Sequence, residues 1–228
     1  MEVVNEKNTN HAKKIPINII SQISKSICKI LVPKEDGGEE QGTGFFMYFM
    51  YLEMDKRKEC LFTNYHVINQ SIINSKKIIK IQIDNGKQFQ IELDSEKRFI
   101  KCYEEPIDIS IIEINKSDNI NKEIKFLYYD MNYLLGYEQY INHDIFTIEY
   151  PLGKDNPEYA SGKIIKIIDK IFEHSLDTDY GSSGCPIISC GNLKVLGIHV
   201  KIVIIILGHF LDKLLIFLKY KINLREKY

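Results

Sequence analysis

The chain predicts an all-β fold made of two successive halves and closed by a terminal helix. Three observations carry that prediction. Short runs rich in Ile, Val, Phe and Tyr recur from residue 27 onward, turn signals separate them, and one polar stretch near the middle divides the series in two. That spacing fits a β-sandwich or a β-barrel. A length of 228 residues allows one large domain or two small subdomains, and 44% hydrophobic with 27% charged residues is the balance of a soluble globular chain. Thirty Lys plus Arg against 31 Asp plus Glu leave a net charge of −1, with no basic field to hold nucleic acid.

Taken in order, residues 1–25 read as a polar N-terminal tail ending in a short apolar-polar segment, 15–23. Its start carries Glu2, Glu6 and Lys7 and no apolar stretch of the secretory kind, so a cytoplasmic protein is expected. The domain proper is expected over 26–220. Its first half, about 26–115, holds strands at 27–32, 44–52, 59–64, 78–83, 88–93 and 107–114. The joins are Glu35-Asp36-Gly37-Gly38, Asp55-Lys56-Arg57 and Asp84-Asn85-Gly86, the last a strong hairpin signal. Residues 115–125 are the candidate linker. The second half, about 123–207, holds strands at 144–149, 162–168, 187–189 and 195–200. The apolar run 202–207 is followed by Phe210, Leu211, Leu214, Leu215, Phe217 and Leu218 at helical spacing, which predicts an amphipathic helix over about 208–220. Lys201, His209, Asp212 and Lys213 interrupt this stretch and argue against a membrane span. Five cysteines without regular spacing read as reduced, mostly buried thiols, suggesting neither a disulfide framework nor a zinc site.

Three segments carry the chemistry: Leu61-Phe62-Thr63-Asn64-Tyr65-His66-Val67, Pro106-Ile107-Asp108-Ile109-Ser110-Ile111, and Asp179-Tyr180-Gly181-Ser182-Ser183-Gly184-Cys185-Pro186. Singly, each has an ordinary structural reading: a histidine at a strand end, an aspartate before a strand, a Gly/Ser loop. As an ordered set, His then Asp then Ser, they meet the needs of acyl transfer: a base, a group that orients the base, and a nucleophile.

On these segments the chain resembles the chymotrypsin-like (trypsin-like) serine peptidases, and within them the glutamyl endopeptidase, or V8-like, branch, over about residues 41–200. Gly42-Thr43-Gly44-Phe45-Phe46 is similar to the family's Gly-x-Gly-Phe strand, and Thr63-Asn64-Tyr65-His66-Val67 to its Thr-Ala-Ala-His segment. Asp108-Ile109-Ser110-Ile111 is similar to Asp-Ile-Ala-Leu. Gly181-Ser182-Ser183-Gly184-Cys185-Pro186 resembles Gly-Asn-Ser-Gly-Gly-Pro, and Val195-Leu196-Gly197-Ile198-His199 the Val-Ile-Gly-Ile-His strand that follows. The spacing fits too, with 42 residues from His66 to Asp108 and 75 from Asp108 to Ser183. The resemblance implies two six-stranded antiparallel β-barrels with the active site between them. It implies a serine endopeptidase acting on polypeptides without cofactor or metal: Ser183 as nucleophile, His66 as general base, Asp108 holding the imidazole, and the backbone N–H groups of Gly181 and Ser183 as oxyanion hole.

For specificity, the resemblance places Thr178 and His199 where glutamyl endopeptidases hold an acidic side chain, while Asp177 lies six residues before Ser183, where trypsin keeps its acid for Lys and Arg. The expectation is cleavage after acidic residues, with a protonated His199 drawing the optimum toward mildly acidic pH. Two positions depart from the family pattern. Cys185 stands where Gly or Ser is usual, and Lys201-Ile202-Val203 where two glycines usually line the substrate groove. Side chains there would fill the groove, and they support the alternative of a catalytically inactive domain that binds a peptide or a partner protein.

Overall fold

The computed structural model describes residues 14–51, 56–84, 86–168, 171–200 and 203–206. Two curled antiparallel sheets follow one another along the chain, in a chymotrypsin-like arrangement. The first consists of β1 (Ile27–Pro33), β2 (Glu39–Tyr51), β3 (Lys56–Thr63), β4 (Ile78–Gln82), β5 (Gln88–Glu92), β6 (Ile100–Tyr103) and β7 (Ile109–Glu113), in the order β5-β4-β1-β2-β3-β7-β6. The second is a closed barrel of β8 (Asp144–Glu149), β9 (Glu158–Ile168), β10 (Ile171–His174), β11 (Pro186–Ser189), β12 (Val195–Val200) and β13 (Val203–Ile206). All pairings are antiparallel.

Alternation along the strands explains how two sheets share one protein. On β2, Phe45, Met47 and Phe49 join a cluster that also takes Phe62 and Ile111 from the first sheet and Phe146, Ile148 and Ile198 from the second. Phe46, between them, points the other way into the interior of the first sheet with Ile30, Leu61 and Ile112. The period of two thus assigns one face of β2 and β3 to the barrel interior and the other to the seam between barrels. Ile145, Phe172, Ile187 and Leu196 fill the second barrel. Each such fully buried Ile or Phe is worth about 1.5–3 kcal/mol.

Three expectations change here. The first sheet has seven strands, not six, the addition being β6. The connection between sheets runs from β7 to β8, beyond 115–125, and is threaded through both: Leu127 bridges Met47 of the first sheet and Tyr129 bridges Val195 of the second. The apolar stretch at 202–207 falls in the second half as expected and contributes β13, which closes the barrel between β12 and β10. Residues 17–24, assigned to the polar tail, form helix α1 (Ile17–Ser24), whose Ile23 is buried in the cluster between the sheets with Ile19 and Ile20 packed against it. The helix expected at 208–220 lies outside the described residues. No helix among the described residues is long and apolar enough to cross a membrane. All five cysteines are free, and four of them are buried.

Candidate active site

His66 sits in the turn after β3 and Asp108 immediately before β7, and pairing of β3 with β7 through Thr63↔Ser110 brings the two together. The Asp108 carboxylate is 1% exposed and engages His66 twice. Its Oδ1 accepts the His66 backbone N–H at 2.9 Å, and its Oδ2 lies 2.7 Å from Nδ1. An ionised carboxylate only accepts, so Nδ1 carries the proton of the neutral ring and Nε2 is left with a free lone pair. Asn64 donates to the Asp108 carbonyl at 2.9 Å, and the Ser110 hydroxyl donates to the Ile68 carbonyl at 2.6 Å, locking both turns. Asp108 adopts φ 51°, a left-handed conformation that aspartate tolerates better than most residues and that costs about 1 kcal/mol or more. The imidazole itself is half exposed.

The segment carrying Ser183 comes from the other barrel and is fastened to β2 by Thr43. Thr43 N–H donates to the Ser183 carbonyl at 3.0 Å, and its hydroxyl donates to the Gly181 carbonyl at 2.9 Å while accepting the Tyr150 N–H at 3.1 Å. Gly184, at φ 89°, lies so close that a Cβ there would collide with the Thr43 carbonyl and with Thr63 Oγ1, which explains a glycine directly after the serine. These contacts set Gly184, the residue after Ser183, against residues 63 and 64, two short of His66. No direct hydrogen bond within 3.5 Å joins the Ser183 hydroxyl to His66 among the described residues, a looseness common in the unliganded state.

The backbone N–H groups in this loop divide sharply. Those of Ser182, Gly184 and Cys185 have acceptors in Asp179, His199 and Ser182, whereas those of Gly181 and Ser183 have none among the described residues. Tyr180 C=O is taken at 2.6 Å by Leu152 N–H, and since a trans peptide points its C=O and N–H in opposite directions, the Gly181 N–H is turned the other way. The loop thus keeps two unspent donors, one two residues before Ser183 and one on Ser183 itself. Leu152 belongs to the turn after β8, and Lys29 on β1 anchors that turn through Gly153 O at 2.7 Å and Asp155 at 3.2 Å. A cavity of about 420 Å³ opens beside Gly181, lined by Gln41, Leu152 and Tyr180 among others.

Of the specificity residues, Asp177 is exposed, Thr178 is half-buried and His199 is 3% exposed. No hydrogen bond joins Thr178 to His199. His199 is gripped by His174, which the sequence pattern did not single out. Leu176 N–H donates to His174 Nδ1 at 3.1 Å, so the neutral His174 carries its proton on Nε2 and presents it to His199 Nδ1 at 3.2 Å. That fixes the His199 proton on Nε2. Burial, with His174 alongside, lowers the His199 pKa to about 4, so the free protein holds it neutral at mildly acidic pH. The expectation of a protonated His199 is corrected accordingly: it acts as a neutral N–H donor. Cys185 is fully buried, and burial with Glu149 nearby pushes its thiol well up, away from the thiolate a cysteine nucleophile needs. Lys201 and Ile202 lie outside the described residues, while Val203 pairs with Val200 inside the barrel. Among the described residues no three His, Cys, Asp or Glu side chains form a metal-holding group.

No family model matches the chain, and no curated protein matches it. Solved structures do match, 248 chains in all. One, described as "Crystal structure of Deg5", superposes with a TM-score of 0.62 over 86% of this chain and 90% of that chain, at 15% sequence identity. At that identity the likeness speaks for the fold. The fold is the chymotrypsin-like double barrel. It is a protease-like scaffold whose seam between barrels receives His66 and Asp108 from one sheet and the Ser183 loop from the other.

Proposed function

We propose that the protein is a serine endopeptidase that cleaves after acidic residues. The single observation that carries this is the pairing of an oriented imidazole with two unspent backbone donors: His66 held by Asp108 at 2.7 Å, and Gly181 and Ser183 N–H groups without acceptors in the loop that carries the half-buried Ser183. Nε2 of His66 takes the Ser183 proton as Oγ attacks the scissile carbonyl, and Asp108 stabilises the imidazolium. The oxyanion is received by the Gly181 and Ser183 N–H groups. The imidazolium then protonates the leaving amine, and water repeats the cycle on the acyl-enzyme.

The acidic preference is supported by the exposure of Asp177, which leaves the pocket wall to Thr178 and to the Nε2–H of His199. A glutamate carboxylate entering there accepts from both. Incubation with a defined peptide library tests the reading: cuts after Glu or Asp that vanish in Ser183→Ala support it, and cuts after Lys or Arg that vanish in Asp177→Ser contradict the pocket assignment. A second reading, a peptide-binding module without turnover, is favoured by Lys201 and Ile202 standing where the family pattern has glycines, and it predicts saturable peptide binding by a chain that cuts nothing.

A further inference from the structure

Glu149 is the one acid buried directly beneath the serine loop, and the proposed chemistry does not use it. It ends β8, is 3% exposed, and lies opposite Glu158 in the β8–β9 register. The charged groups facing it are Asp179 from the loop and Glu158 from β9, both anionic, and Lys154 is occupied by Glu158 at 2.6 Å. Among the described residues no cation pairs with it. What faces its carboxyl instead are two protons from the loop: the Ser182 hydroxyl and the Cys185 thiol, the latter with Sγ 3.7 Å from Oε2. The Ser182 oxygen already accepts the Asp179 N–H at 3.2 Å, so its own proton is free to go to Glu149. Thr147, one strand position pair back on the same side, also reaches Cys185.

Resting on the serine-peptidase reading of this site, we infer that Glu149 is a positioning residue for the nucleophile loop, the common acceptor that holds Ser182 and Cys185 and thereby the backbone on both sides of Ser183. Ionised, the carboxylate accepts from both neighbours. Protonated, it brings a donor of its own to a place that already has two, and the loop loses the pattern that turns the Gly181 and Ser183 N–H groups toward a substrate. Burial and the two anionic neighbours raise its pKa to about 7, which puts this change inside the range where a peptidase works.

The experiment follows the rate of fluorophosphonate labelling of Ser183 from about pH 5 to about pH 9 in the wild type, Glu149→Gln and Ser182→Ala, together with the infrared S–H band of Cys185, assigned by its loss in Cys185→Ala. Protonation of Glu149 is a second loss beside that of the general base, so the acid limb of the wild-type log rate steepens toward a slope of about two, against about one in Glu149→Gln. At alkaline pH Glu149→Gln labels roughly tenfold more slowly, the cost of a lost charged acceptor. The S–H band shifts to lower frequency as Glu149 ionises, with a midpoint near pH 7. Parallel acid limbs in wild type and Glu149→Gln, with an S–H band that does not move, overturn the inference. If Glu149→Gln does not fold, the wild-type band and a slope of about one in Ser182→Ala decide it instead. A band that titrates in a protein that never labels supports the Glu149 contacts and sinks the peptidase reading; a protein that labels with an unmoved band does the reverse.

Discussion

Thr43 joins the barrels at the point where catalysis needs them joined, so replacing it with valine is a direct probe of the site's construction. The hydroxyl is fully buried, donates to Gly181 C=O at 2.9 Å and accepts from Tyr150 N–H at 3.1 Å. Valine matches threonine in shape but has no polar atom, so Thr43→Val strands a buried carbonyl and a buried N–H together. Each unsatisfied group costs about 1–3 kcal/mol, partly offset by the added apolar methyl, which puts the net loss of stability at about 2–4 kcal/mol. In the proposed mechanism Gly181 is also the donor beside the reacting carbonyl, and loosening its peptide by a fraction of an ångström weakens one oxyanion contact. The expected fall in kcat is about tenfold or more, with KM little changed. Thr43→Ser keeps the oxygen, and its loss in both quantities stays within about 1 kcal/mol. Urea unfolding at constant m-value gives the first quantity and steady-state kinetics the second. A valine variant that matches the serine variant in both measurements refutes the reasoning.

Further outcomes follow from the same geometry. Asp108→Asn lowers kcat by about 10⁴ with the fold intact, the magnitude typical of a Ser-His-Asp triad, because an amide at that position holds the wrong imidazole tautomer; the check is kcat beside a circular-dichroism spectrum. His199→Ala costs about 1–3 kcal/mol in kcat/KM on glutamyl substrates and far less on apolar ones, and His174→Ala reproduces part of that loss by freeing the His199 tautomer. Stability responds to pH in two opposing ways. The Glu149 pKa is raised from 4.5 to about 7, so its contribution is full below pH 4.5 and is lost as pH rises through 7. The His199 pKa is lowered from 6.5 to about 4, so its contribution is full above pH 6.5 and is lost as pH falls through 4. Melting temperatures of Glu149→Gln therefore fall more steeply toward acid than those of the wild type, and those of His199→Gln fall less steeply.

Much of the fold was legible because its signals are local. Period-two alternation on β2 and β3, and the polar stretch after β7, divide the chain into halves without any knowledge of contacts. The short β6 escaped because Ile100-Lys101-Cys102-Tyr103 pairs with a single neighbour and carries a charge in its middle. Residues 202–207 were placed in the second half without being assigned as a strand, since six consecutive apolar residues have no period to distinguish strand from buried helix. α1 looked like tail because it is only eight residues long and its burial is supplied by a seam made of distant strands. At the site, His66, Asp108 and Ser183 were visible through ordered motifs. Thr43, His174 and Glu149 were not, because their roles are tertiary: Thr43 meets Gly181 across 138 residues of chain, and Glu149 lies 36 residues from Cys185.

The central claim is that Ser183, and not Cys185, is an activated nucleophile. Incubating the purified protein with a fluorophosphonate and locating the added mass by peptide mapping tests it most directly. The expected result is a single adduct on Ser183, absent in Ser183→Ala and Asp108→Asn-slowed, with Cys185→Ala and Cys190→Ala labelling at nearly the wild-type rate. An unmodified Ser183 at every pH, or inactivation by iodoacetamide that Cys185→Ala resists, would contradict it.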